Sequence, residues 1–258
     1  MKELLKTNGQ FRVFLVYQMF SGLGNGIFNL FMLLRDPNEK TEAKKGILQN
    51  YRADLIEVMK FLRKNVLLFF IAADIAHSFL GQASYVNRPA FIEYHAGARG
   101  YIILTVMMMA GGLIASSLVT PLGKIFRVSQ LLFGFYLFAG VSRIVFAMVL
   151  PMSFYLAIGL AIVNAAVLSA STMVENSLAQ KLPPKEMVGR VDTMSTSFTA
   201  ASFALGALAG GVLGSVVSDL AYIFIAQGVI FAVASVYYFL VPEIRKMPKF
   251  NDILRIRA

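Results

Sequence analysis

Asp74 and His77 lie three residues apart in the long apolar run 65–86, so they share one face if that run is a helix. At about 1.5 Å of rise per residue, Asp74 lies roughly 15 Å from Lys64, close to the middle of a bilayer. A carboxylate at that depth is costly and is a candidate proton carrier. The His77 imidazole, which changes charge near neutral pH, is a candidate to share the proton. A hydrogen bond that only fixes helix packing is the alternative.

Arg143 is a third ionisable residue within an apolar run, 129–150. It lies about 12 Å from Pro151 by helix rise, so its long side chain can reach toward the membrane surface as an anchor. Two further roles stay open, as a partner for Asp74 or as a contact for an anionic substrate.

The composition is typical of a membrane protein. Of 258 residues, 57% are hydrophobic and 15% are charged, against about 45–50% and about 25% in soluble domains. There is no cysteine and there are only two histidines, which argues against a metal site. The sequence contains no catalytic triad, paired acid site or phosphate-binding loop, so we expect no enzyme activity and no cofactor. We attribute the net charge of +10 to cytoplasmic loops and not to nucleic-acid binding.

Seven apolar runs are long enough for a membrane helix of about 20 residues. They cover residues 11–34, 65–86, 100–120, 129–150, 152–175, 191–217 and 220–241. These runs are too long for barrel strands and lack their alternation. The predicted fold class is therefore an all-α integral membrane protein with about seven transmembrane helices.

Four regions follow from these runs. They are an N-terminal hydrophobic helix 1–34, a cytoplasmic linker 35–64, a six-helix bundle 65–241 and a basic cytoplasmic tail 242–258. The later part of the linker has apolar residues at helical spacing, namely Leu48, Tyr51, Leu55, Met59 and Leu62. This pattern predicts an amphipathic helix, either lying along the membrane surface or solvated.

The distribution of basic residues predicts the orientation. Lys and Arg number eight, two, three and five in the segments 35–64, 121–128, 181–190 and 242–258, against two in 87–99. The positive-inside rule places the first four segments in the cytoplasm, with the C-terminus. An odd number of spans would then put the basic N-terminus outside. The alternative is that the first run does not fully cross.

Two segments resemble loops of the major facilitator superfamily of transporters. Residues 176–191, NSLAQKLPPKEMVGRV, resemble the loop between helices ten and eleven in macrolide-efflux-like and siderophore-exporter-like members. Gly112 to Arg127 resembles the second copy of the family's loop motif, between helices eight and nine. The region from about 47 to 241 thus resembles the C-terminal six-helix half. Residues 11–28 resemble the first helix and 33–39 the end of the sixth, as if about five helices between them were deleted.

The resemblance implies gating roles for residues at the cytoplasmic helix ends. These candidates are Gly189, Arg190, Asp192, Gly123 and Arg127. An alternative for Asp192 is a helix N-terminus, where the dipole favours an acid. Glu175 is predicted to lie near the cytoplasmic surface and to pair with Lys181 or Arg190. The acid expected in the family's stronger first motif is absent near Thr120, so a charge-relay gate at that loop is not implied.

A stripe of small residues in the run 191–217 predicts close helix packing. Its glycines are Gly206, Gly210, Gly211 and Gly214. The stripe also resembles the glycine-rich segment of helix eleven in efflux members, without the proline of their antiporter motif.

The sequence therefore predicts a multi-pass cell-membrane transporter of the facilitator type. It would expel an amphipathic small molecule by proton coupling, although most of its N-terminal half is missing. Such a chain would need a second copy of itself or a separate half. The alternative is a non-transporting remnant, or a membrane protein that associates with another transporter half.

Overall fold

The computed structural model describes residues 56–255 of the chain. The predicted first membrane helix, 11–34, and most of the linker 35–64 lie outside the described residues. Within 56–255 every regular element is a helix, and no β-strand occurs.

Six long helices make up most of the described chain. They are α1 (Leu67–Tyr85), α2 (Arg88–Ile125), α3 (Val128–Val149), α4 (Phe154–Lys181), α5 (Lys185–Val216) and α6 (Ala221–Ser235), followed by the short α7 (Tyr237–Leu240), α8 (Pro242–Arg245) and α9 (Phe250–Arg255). Six segments, the last running through α6 and α7, are long and apolar enough to cross a membrane. The chain is an all-α, multi-pass membrane protein, and the predicted fold class is confirmed.

The predicted loop at 87–99 is wrong, because α2 begins at Arg88. Pro89 suits the first helical turn, where its missing N–H has no helical partner. Phe91 and Ile92 are each 1% exposed and anchor this turn in the core. The helix is broken once, at Gly97, whose φ of 69° favours glycine. Glu93, Tyr94 and Arg99 lie on the exposed face of this part of the chain.

The described residues divide into two units. The first comprises the described part of Met1–Gln82 together with Leu182–Ala209. Its core joins a helical segment at 56–63 to the beginnings of α1 and α5. Val58 and Leu62 of that segment are 2% and 0% exposed, against Ile71 and Val191. The described end of the predicted amphipathic helix therefore buries Val58 and Leu62 in protein, while Ile56 is 45% exposed. That the helix lies along the membrane surface or is solvated stays a prediction.

The second unit comprises Ala83–Lys181 and the described part of Gly210–Ala258. In this unit α2 packs along α4, and α3 packs on both α4 and α6. Asn164 satisfies its buried amide by donating to the Ala139 carbonyl at 2.9 Å and to the Ser142 hydroxyl at 2.6 Å. Such internal bonds replace the water that a membrane interior lacks.

The described part of the predicted basic tail, 242–255, is folded against the second unit. Ile244, Met247 and Phe250 are buried. The Val128 N–H donates to the Pro248 carbonyl at 3.3 Å, which ties the tail to the start of α3. Gly123 of α2 leaves room for Phe250 and Asn251, since a Cβ there would meet both.

Small residues let α5 approach the backbone of α1. In the first unit, a Cβ on Gly206 would collide with the Phe79 carbonyl. In the second unit, a Cβ on Gly210 would collide with the Ala83 carbonyl, and one on Gly214 with the Asn87 amide. The Asn87 amide, 3% exposed, donates to the carbonyls of Ala83 at 3.0 Å and Gly210 at 2.8 Å.

Gly211 differs from its three neighbours in the stripe, because a Cβ there would meet nothing within 4 Å. Close approach requires glycine at Gly206, Gly210 and Gly214, while Gly211 tolerates a side chain. This difference provides a matched pair for an experiment.

We expect Gly210→Ala to destabilise the protein by about 1–3 kcal/mol, because the added methyl group must push two helix backbones apart. Gly211→Ala, one residue away and of identical chemistry, should be neutral or slightly stabilising. The measurement is thermal unfolding of each variant in the same detergent. Equal melting temperatures for the two variants would contradict the close helix contact.

Candidate functional site

Asp74 lies near the middle of α1, eight positions into a helix of 19 residues. Its carboxylate Oδ2 accepts a hydrogen bond of 2.7 Å from the hydroxyl of Thr199 on α5. Both side chains belong to the first unit and both are only partly buried. Sequence analysis did not single out Thr199, and only its spacing on a polar face of α5, with Thr196 one turn earlier, could have suggested it.

A hydroxyl, and not a cation, is the partner that the structure gives Asp74. One neutral hydrogen bond does not offset the cost of a bare charge within a membrane. A charged carboxylate at this position therefore needs water or a further polar group beside it.

His77 lies one turn after Asp74 on α1 and is also partly buried. The two residues share a helix face, as their spacing predicts. Arg143, the third predicted residue of the substrate path, lies on α3 in the second unit. Its guanidinium stacks over the Phe231 ring, 4.8 Å from the centroid.

A second carboxylate, Glu175 on α4, is buried at 8% exposure in the second unit. Its two oxygens accept hydrogen bonds from Tyr136 at 2.9 Å and from Tyr238 at 2.8 Å. The two tyrosine rings stack at 5.3 Å with an interplanar angle of 9°. We call these three residues the tyrosine–glutamate cluster.

The tyrosine–glutamate cluster joins α3, α4 and α7 near the point where the folded tail begins. Sequence analysis instead paired Glu175 with Lys181 or Arg190. The tyrosine partners are 39 and 63 residues from Glu175 in the sequence, so no local spacing points to them. The two hydroxyl donors to one buried acid help to fix the relative placement of these helices, because removing either donor takes a hydrogen bond from a buried carboxylate.

Of the residues predicted from the resemblance to form a gate, Gly189, Asp192 and Arg127 are exposed, Arg190 is half-buried and Gly123 is buried. Arg190 on α5 forms an ion pair of 2.9 Å with Glu57 of the segment 56–63. The side chains are 39% and 62% exposed, so this pair is worth about 0–1 kcal/mol. Gly189 has open space around its Cα.

The alternative that Asp192 begins a helix is wrong, since α5 begins at Lys185. Asp192 lies two turns into the helix and is exposed, beyond the first turn where the dipole acts. Glu186 is the acid in the first turn of α5. The helix starts earlier than the apolar run because the charged residues Lys185, Glu186 and Arg190 also belong to its first turns.

Arg127 precedes α3 and contributes its backbone to the helix start. Its N–H donates to the Gln130 side chain at 3.0 Å. With Gly123 against the tail, these two motif residues hold the α2–α3 connection and the described tail together.

No protein-family model matches the chain, and comparisons with curated proteins and with solved structures found no match.

The tyrosine–glutamate cluster predicts strong energetic coupling. Tyr238→Phe alone should cost about 1.5–3 kcal/mol, because it leaves a buried carboxylate oxygen without its donor. Combined with Glu175→Gln, the loss should be smaller than the sum of the two, with a coupling energy of about 0.5–3 kcal/mol. The measurement is a double-mutant cycle of unfolding in detergent.

Tyr222→Phe, which removes a hydroxyl at a position 60% exposed on α6, is the matched control for that cycle. Additive losses for Tyr238→Phe and Glu175→Gln would show that their hydrogen bond does not hold the helices together.

Proposed function

We propose that the chain is a facilitator-type membrane transporter that exports an amphipathic small molecule in exchange for protons. The observation that carries the proposal is the partly buried carboxylate of Asp74, hydrogen-bonded to Thr199 in the middle of a membrane helix. A purely structural membrane bundle gains little from such a group, whereas proton-coupled transporters need one.

The substrate class follows from the side chains that the membrane helices offer. Around Asp74 the first unit contributes threonine and serine hydroxyls from α5, together with aliphatic residues of α1. Ser and Thr hydroxyls bond mainly to their own helix, for example Thr196 to the Asp192 carbonyl at 2.9 Å. A mostly apolar surface with few polar groups suits an amphipathic molecule.

The described chain supplies six membrane helices, one half of a facilitator transporter. Alternating access in that class rocks two six-helix halves about a site near the midplane. We propose that a second copy of this chain, or a separate half, completes the path. In the cell membrane the C-terminus would lie in the cytoplasm, where the basic tail 242–258 belongs by the positive-inside rule.

Asp74→Asn should abolish export driven by a pH gradient, because the amide cannot carry a proton. The measurement is efflux of ethidium and of a macrolide from cells that express each variant at equal levels. Thr199→Val should reduce efflux less, since it removes only the hydroxyl donor. Asp252→Asn, an exposed acid of the tail, is the matched control and should export normally.

Unchanged efflux with Asp74→Asn would refute the proton-carrier role. If cells that express the unaltered protein in their membrane export no more substrate than cells without it, the result would instead favour the non-transporting alternative.

A further inference from the structure

Arg88 lies beside a membrane helix, although sequence analysis placed it in an external loop. Its Nη1 approaches the sulfur of Met108 at 3.4 Å, and its guanidinium stacks 4.4 Å from the Tyr85 ring centroid. Met108 comes eleven residues after the break at Gly97, about 16 Å along α2 by helix rise. The guanidinium therefore lies alongside the apolar part of α2.

Arg143 of α3 lies in the same region of the second unit. Phe91, one turn after Arg88, contacts Phe146, one turn after Arg143, with ring centroids 6.5 Å apart. The two cations thus share one part of the unit, at the end where α1 turns into α2.

Within the described part of the chain, neither guanidinium has an acidic partner. Among residues 56–255, no carboxylate forms an ion pair with Arg88 or Arg143; the contacts of both are a thioether and aromatic rings. The Nη1 of Arg143 is buried and donates no hydrogen bond within the described chain. Two neighbouring charges without a counter-ion are costly in a medium of low dielectric.

We propose that Arg88 and Arg143 together bind one oxyanion, a phosphate or a carboxylate, in the second unit. A guanidinium presents its N–H donors as a planar fork that matches the geometry of an oxyanion. The buried Nη1 of Arg143 has no acceptor within the described chain and could donate to such a ligand. The stacking of both guanidiniums on aromatic rings fixes their planes before the ligand arrives. The inference goes beyond the proposed export and does not depend on it.

The oxyanion has two sources that this chemistry does not separate. One is the phosphate of an anionic lipid. The other is a soluble anion, either a substrate or a free phosphate. Both would sit between the same two arginines, so the experiment uses one probe for each source.

The test is a binding measurement on the purified full chain in uncharged detergent. Native mass spectrometry would count bound phosphatidylglycerol against phosphatidylcholine, and thermal unfolding would be followed with added inorganic phosphate. We expect binding of one of the two probes, weakened about tenfold or more in Arg88→Gln and in Arg143→Gln, because each loses a charge-assisted bond. Arg99→Gln removes an exposed arginine of the same helix and should bind as the unaltered protein does.

Retention of phosphatidylglycerol alone would identify a lipid headgroup as the ligand, and stabilisation by phosphate alone would identify a soluble anion. Arg143→Lys keeps the positive charge but loses the planar fork of donors, so it should bind the probe with intermediate affinity. This variant replaces Arg143→Gln in the test if Arg143→Gln does not fold. The proposal is overturned if neither probe binds, or if Arg88→Gln and Arg143→Lys bind both probes as tightly as the unaltered protein.

Discussion

The absence of water in a membrane interior is the constraint on which the rest of this structure depends. Each polar group inside the helices must find a partner in the protein or reach a wet surface. Asn164 and Glu175 meet this demand with two hydrogen bonds each to neighbouring helices. Asp74 meets it with a single hydroxyl and stays partly exposed. This contrast separates the polar groups that hold the helices in place from Asp74, whose hydrogen bonding within the described residues is incomplete.

Within a lipid bilayer, close packing of helices provides the stabilisation that the hydrophobic effect provides in water. Membrane helices gain from close contact, so glycines that admit a neighbouring backbone have a large influence. Gly210 faces the Ala83 carbonyl, and the Asn87 amide bridges the same two helices in the second unit. The tyrosine–glutamate cluster and the folded tail hold the other ends of that unit's helices. Rigid contacts of this kind let a few polar side chains be placed with precision.

The sequence predicted the membrane class and six helices well, because long apolar runs follow directly from bilayer thickness. It failed where amphipathic segments met the membrane boundary. Residues 87–99 looked polar enough for a loop, yet Phe91 and Ile92 bury one face of a helix there. Partners distant in sequence were also out of reach. The Thr199 hydroxyl beside Asp74 and the tyrosines beside Glu175 depend on how helices meet, which one sequence does not encode locally.

Water access to Asp74 is the most direct test of the central claim, that this carboxylate lies on a transport path. The chain has no cysteine, so Thr199→Cys introduces a single thiol beside Asp74. Leu205→Cys introduces a single thiol at a position 60% exposed on the same helix, on a surface that we expect to face lipid. Charged methanethiosulfonate reagents modify only thiols that water reaches. In membrane fragments whose two sides are both accessible to the reagent, we predict rapid modification of the thiol in Thr199→Cys and no modification of the thiol in Leu205→Cys. Equal resistance of both would show that Asp74 is sealed in the bundle, and the transport account would be contradicted.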